Sequence, residues 1–314
     1  MTKPENALEP LAHDSLVRVM FEGVSARAQI IQLDRQWQEV AQRHTEPPEV
    51  ISLLGQMTAA SVLLSASLKY EGSVILQIHG DGPVRLAVAE CGADLGFRST
   101  IKMSESLKVP AGANWKDLVN QNNLGRFSVV LDPKVPDQHP YQGIVPLHEQ
   151  GVAQALESYM TRSEQLPTRL WLASNGQRAA GLLLQRMPDT GGVEAKSGTD
   201  EDWARLCALA ATVTDAELMD LDPKTLLHRL FWEEQPRLLD ERSAQFACHC
   251  SRARVGRMLQ TLGQDEIASI LSEKETVQVN CDFCNTPYVF DPIDCAQLFT
   301  EQDQAIVSGP TTLH

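Results

Sequence analysis

"PPEVISLLGQMTAASVLLSASLKY", residues 47–70, is followed after Glu71 by "GSVILQIHGDGPVRLAVAEC", residues 72–91, and the pair sets the fold class. Prolines are tolerated in a first helical turn, and the helix-permissive, largely apolar residues behind them predict a long, mostly buried helix. The second stretch holds two apolar runs meeting at "GDGP", which predicts a β-hairpin. "GDGPV" has the look of a phosphate-loop fragment, but no Lys-Ser/Thr follows and it joins two strands, so it reads as a turn. Upstream, residues 15–32 read as two strands around Gly23. Downstream come a strand, "GRFSVVLDP", a loop, "PYQGIVPL", and a helix, "VAQALESYMTRSEQL", ended by Pro167. "TRLWLAS" and "QRAAGLLLQRM" then pair around "NG". Residues 1–190 are therefore expected to form an α+β domain of antiparallel sheet plus helix.

The texture changes at "PDTGGVEAKSGTDED", residues 188–202, where Gly, Ser, Thr and acid replace apolar periodicity and mark a boundary. Residues 191–245 read as a helical linker. From Asp189 to Arg242 there are thirteen acidic and six basic side chains, net −7, half of the −14 carried by the 314-residue chain. Yet "WARLCALAATV" and "LLHRLFW" space Leu and Trp as helices do. Short amphipathic helices of this kind form only where another surface covers their apolar faces. The expected cover is the domain that follows, which makes the linker metastable; an ordinary helical linker is the plainer alternative.

With 27 basic against 41 acidic residues, the chain repels nucleic acid and anionic membranes. No stretch reads as the eighteen or more apolar residues of a spanning helix, and the N-terminus lacks the order of a secretory signal. These features predict a cytoplasmic protein. In a reducing compartment, paired cysteines are metal-binding or redox-active more often than structural disulfides.

Four of the seven cysteines cluster near the C-terminus, in "FACHCSRARVG" (246–256) and "VNCDFCNTPYVF" (279–290). Cys248, Cys250, Cys281 and Cys284 offer the four thiolates that structural zinc prefers. "ETVQVNCDFCNTPYVF" places the second pair in a tight turn between two strands. Ser251 is a good N-cap and Gly263 a good stop for a helix, so the first pair sits at a helix mouth, where the dipole favours thiolate. His249 is a weaker ligand candidate because it points away from its neighbours. Cys91, Cys207 and Cys295 read as core thiols. Residues 246–300 are expected to form a small zinc-binding domain, too small for its core to suffice, with 301–314 as a tail. An oxidant can convert each close pair to a disulfide and so remove the ligands.

With "LLSASLKYEGSVILQIHGDGPVRLAVAEC", "YQGIVPL", "SEQLPTRLWLA" and "LLHRLFWEE", these motifs resemble the 33 kDa chaperonin family nearly end to end. The resemblance implies an ATP-independent holdase that is inactive when reduced and holding one zinc ion. Oxidation would form Cys248–Cys250 and Cys281–Cys284 disulfides, expel zinc and unfold the linker. The protein would then dimerise, capture unfolding client proteins and pass them later to ATP-dependent foldases. The extra thiols depart from the four-cysteine motif, and Cys207 in the linker is open to mixed disulfides.

Three other readings compete. A nucleic-acid-binding zinc ribbon is disfavoured by a net charge of −3 over residues 245–300; Arg252, Arg254 and Arg257 read as a solvated helix face or as partners of linker acids. A thiol-disulfide oxidoreductase would place CxxC at a helix N-terminus after a strand. A purely structural zinc site would keep its metal under peroxide.

Overall fold

In the computed structural model of the protein, residues 14–307 are described, apart from 22, 69–70, 136–137, 146, 148–149 and 189–197. The boundary read at 188–202 thus lies mostly outside the described residues. Helix α1 (Arg35–Ala41) is short, and the prolines at 47 and 48 open α2 (Pro48–Ser67), the long helix expected from the sequence. Sixteen of its twenty residues are buried, so it has no polar face. By length and composition α2 is apolar enough to cross a membrane, contrary to expectation, but 89% of its most apolar window lies inside the protein. Its hydroxyls are satisfied locally: Thr58 and Ser67 donate to the Leu54 and Leu63 carbonyls, each at 2.8 Å.

Two sheets enclose α2. The first combines β1 (Ser15–Phe21), β2 (Ala26–Leu33), β8 (Thr168–Ser174), β9 (Ala179–Arg186) and β10 (Arg237–Ser243), in the order β10-β1-β2-β9-β8. The second contains β3 (Gly72–His79), β4 (Val84–Gly92), β5 (Gly96–Met103), β6 (Arg126–Pro133), β7 (Tyr141–Val145) and β11 (Gln245–Phe246). Its order is β11-β5-β4-β3-β6-β7, antiparallel except for the short β11–β5 pairing. Short α3 (Trp115–Val119) and α4 (Val152–Arg162) complete this part. The expected α+β architecture, with strand pairs at 15–33, 72–92 and 168–186, is present.

Two local expectations change. "PYQGIVPL" contains β7 rather than being all loop. Gly143 permits this strand, because a Cβ there would stand 2.3 Å from the Tyr159 ring that α4 lays across it. Helix α4 ends at Arg162, well before Pro167, and the chain turns through Gln165 at φ 55°.

The first sheet is buried on both faces, which period-two alternation makes visible. Leu16, Ile31, Leu33 and Leu183 join the core around α2. Val17, Val19, Phe21, Ile30, Leu182 and Leu184 face a second core with Leu206, Leu218, Leu226, Leu227, Leu230 and Phe231. Those last residues belong to α5 (Asp200–Ala210), α6 (Asp215–Asp220) and α7 (Pro223–Phe231), the helices of the acidic segment. The cover over their apolar faces is therefore the N-terminal sheet, not the cysteine-bearing domain. Thr199 with Asp202, and Thr214 with Glu217, form capping boxes, and Asp222 caps α7 ahead of Pro223. At 11, 6 and 9 residues, none of these helices is long enough to be stable alone. The segment ends in β10, which pairs with β1 and is anchored by Arg18, whose guanidinium grips both Asp240 carboxylate oxygens and also donates to the Ala66 carbonyl.

The chain divides into two compact units, Met1–Ala247 and Cys248–His314. The second consists of α8 (Arg252–Leu262), α9 (Gln264–Glu273), the hairpin β12 (Val277–Asn280) and β13 (Pro287–Phe290), and α10 (Pro292–Val307). Among the described residues its buried core comprises Val255, Leu259, Ile267, Val277, Phe290 and Cys295.

Candidate metal centre

Cys248 and Cys250 lie immediately before α8. The Ser251 hydroxyl accepts the Arg254 amide at 3.2 Å, the N-cap read from the sequence, and Gly263 at φ 93° lets the chain turn from α8 into α9. Cys281 and Cys284 occupy the turn of the β12–β13 hairpin. There the Cys281 amide donates to the Thr286 carbonyl at 3.0 Å and the Asn285 amide to the Cys281 carbonyl at 2.8 Å. Asn285 supplies the left-handed residue, φ 57°, that closes the knuckle.

The two pairs converge. Cys248 Sγ lies 3.7 Å from Cys281 Sγ, Cys250 Sγ lies 3.3 Å from Cys284 Sγ, and all four sulfurs lie within 4.8 Å of one another. A tetrahedron built on Zn–S bonds of about 2.3 Å has S···S edges of about 3.8 Å. The cluster is of that size, and its all-sulfur donor set suits zinc among the common divalent ions. These residues can hold one metal ion.

His249 is exposed and outside the cluster; its carbonyl accepts from Arg254 Nη1 at 3.1 Å. Cys295 is a core thiol of the same unit, 3% exposed, and Cys91 is sealed in the core around α2. Cys207 is half-buried on α5, where burial raises its pKa against the pull of Arg169.

Burial pushes the Cys248 thiol up to about 12, against a backbone hydrogen bond from Cys250 that lowers it. Burial raises Cys281 too. It also acts upward on Cys284, but hydrogen bonds from the Thr286 hydroxyl and amide and from the Cys250 and Cys248 thiols prevail and hold that thiol down to about 6.

Sequence reading missed two residues that touch the sulfurs. Tyr288, on β13, donates its hydroxyl to Cys250 Sγ at 3.1 Å. Thr286 Oγ1 lies 3.1 Å from Cys284 Sγ. Arg252, read as a solvated residue or a partner of linker acids, instead binds Asp294 at 2.6 Å and the Val289 carbonyl at 2.7 Å, and lies 4.2 Å over the Phe290 ring. Only the Tyr and Thr at short offsets from CxxC hinted at these contacts.

The family model described as "Hsp33 protein" matches residues 14–291. A protein of Methylobacillus flagellatus named "33 kDa chaperonin" is 46% identical over 290 residues, covering 92% of this chain and 95% of its own length. One of the same name from Chromobacterium violaceum is 44% identical, covering 91% and 94%. A crystal structure of the 33 kDa chaperonin, heat shock protein 33 homolog, of Thermotoga maritima shares the fold at a TM-score of 0.75 and 20% identity, covering 93% of this chain and all of that one. By the family match and these relatives, the chain belongs to the Hsp33 family of 33 kDa chaperonins.

Proposed function

We propose that this protein is a holdase controlled by its four cysteines. Its family is one of chaperones, and binding of client proteins follows from that membership. The control is our reading, and the observation that carries it is the convergence of Cys248, Cys250, Cys281 and Cys284 within 4.8 Å, in a unit whose core holds six buried residues among those described. Zinc bound there supplies cross-linking free energy, about 10–16 kcal/mol in small zinc peptides. That rivals the whole stability of a domain, about 5–15 kcal/mol.

Cys248 with Cys250, and Cys281 with Cys284, each give up two electrons to a peroxide, which leaves as two hydroxide ions while one S–S bond forms. The joined sulfurs no longer ligate as thiolates, and two loops this short restore little stability. The unit then unfolds. The acidic linker, residues 191–245, follows by leaving the first sheet. Its short helices cannot stand alone, and the second core, including Phe21, Val19 and Leu182, opens to clients. Dense negative charge keeps the resulting complexes soluble. The oxidised protein dimerises, works without ATP in the cytoplasm, and yields its clients later to ATP-dependent foldases. This assigns three working parts: residues 1–190 as core, 191–245 as detachable cover and 246–300 as clasp.

A thiol-disulfide oxidoreductase is disfavoured because CxxC occupies a hairpin turn rather than a helix N-terminus. Light scattering of a heat-unfolding client tests the proposal. Reduced protein should give no protection, and peroxide-treated protein should protect at near-stoichiometric amounts. Equal protection by both forms, or catalytic turnover of a disulfide substrate, would overturn it.

A further inference from the structure

We infer that the Tyr288 hydroxyl is a positioning group for the sulfur cluster, binding Cys250 across the two cysteine pairs and slowing oxidative metal loss. The inference rests on the metal-binding reading above. Tyr288 stands on β13 opposite Val279, and its ring packs against the small core of the second unit. Its hydroxyl reaches Cys250 Sγ at 3.1 Å, 38 residues away in sequence and on the other pair. The Thr286 hydroxyl oxygen lies at the same 3.1 Å from Cys284 Sγ, accepting from the thiol, but inside its own hairpin. Among the described residues these are the two side-chain hydroxyls on the cluster, and Tyr288 alone joins one pair to the other.

When Cys250 is a thiolate the hydroxyl can act only as donor. A charge-assisted hydrogen bond draws electron density from the sulfur and occupies one of its lone pairs. In the oxidation, a sulfur lone pair attacks one peroxide oxygen and the second thiolate of the pair then displaces it. Two thiolates and one peroxide give one disulfide and two hydroxides. A sulfur with a lone pair engaged attacks more slowly, and one tied to β13 must break that tie before turning toward Cys248. Phenylalanine at 288 keeps the ring and removes only the hydroxyl.

The test uses the full chain, reduced and loaded with cobalt or zinc. In Tyr288→Phe the sulfur-to-cobalt charge-transfer band should move to lower energy. Zinc release by peroxide, followed with a chromogenic chelator, should be about tenfold faster, the lower end of what outer hydrogen bonds to ligands contribute. Thr286→Val should shift the band in the same direction through Cys284. A Tyr288→Phe chain with unchanged band and release rate would overturn the inference, even if its melting temperature fell, since the residue would then serve packing alone. A chain that takes up no cobalt would assign the hydroxyl to assembly of the site and equally overturn it. If the unsubstituted protein binds no metal, the metal-binding reading fails as well; if it does and the variant matches it, only this inference fails.

Discussion

Phe231→Ala should release the linker while the cysteine cluster stays intact. Phe231 is 0% exposed and meets Phe21 of β1 edge-to-face, ring centroids 5.1 Å apart at 72°. Truncating a fully buried Phe costs about 3–5 kcal/mol. Each 1.4 kcal/mol is a factor of ten, so the docked population should fall by roughly two to nearly four powers of ten relative to the released one. The adjacent Trp232, 60% exposed, is the matched control, and its replacement by Ala should stay within about 0.5 kcal/mol of neutral. Metal content, limited proteolysis of residues 198–245 and client light scattering should be read on the same reduced samples. Phe231→Ala should retain its metal, be cut in the linker and hold clients without peroxide. A linker as resistant as in the control would refute the role given to this packing. A linker that is cut while clients aggregate freely would refute the idea that uncovering the sheet is what activates the chaperone.

Replacing Cys281 and Cys284 by Ser should abolish metal binding and make the linker, β10 included, protease-sensitive while α2 and strands β1 to β9 remain folded; a resistant linker counts against the coupling. The Arg18 guanidinium holds the Asp240 carboxyl below its ordinary range. A folded value below the unfolded one contributes stability that is present above the unfolded pKa, about 3.9, and lost as pH falls through the folded value. The protection of β10 amides, taken relative to their intrinsic exchange rate at each pH, should therefore fall below about pH 4, and Asp240→Asn should remove that acid-side dependence; an unchanged profile would exclude this ion pair as the anchor.

The elements most legible in the sequence are those whose chemistry is local. Prolines at 47 and 48 start α2, "GDGP" turns β3 into β4, Ser251 caps α8, and Cys-Asp-Phe-Cys-Asn makes a knuckle without help from distant residues. What stayed hidden depends on partners. The period-two pattern shows that Leu16 and Val17 face opposite ways, but both faces are apolar, so it cannot say that α2 covers one and the acidic helices the other. "RLLDERS" carries no strand signal because β10 is an edge strand with exposed side chains, held by β1's backbone and Arg18. Strand β7 was masked by Gly143, whose reason is the Tyr159 ring of a later helix. The four ligand candidates declared themselves through spacing, whereas Tyr288, reaching across 38 residues to Cys250, needed the folded geometry.

Metal content measured beside thiol accessibility, before and after peroxide at raised temperature, bears most directly on the proposed switch. The account predicts one zinc per chain in unstressed protein, with Cys248, Cys250, Cys281 and Cys284 shielded from alkylation. After oxidation it predicts loss of the zinc and two disulfides within those four residues. Unstressed protein that is free of metal yet resists protease from β1 through α10, or oxidised protein that retains its zinc while holding clients, would contradict it.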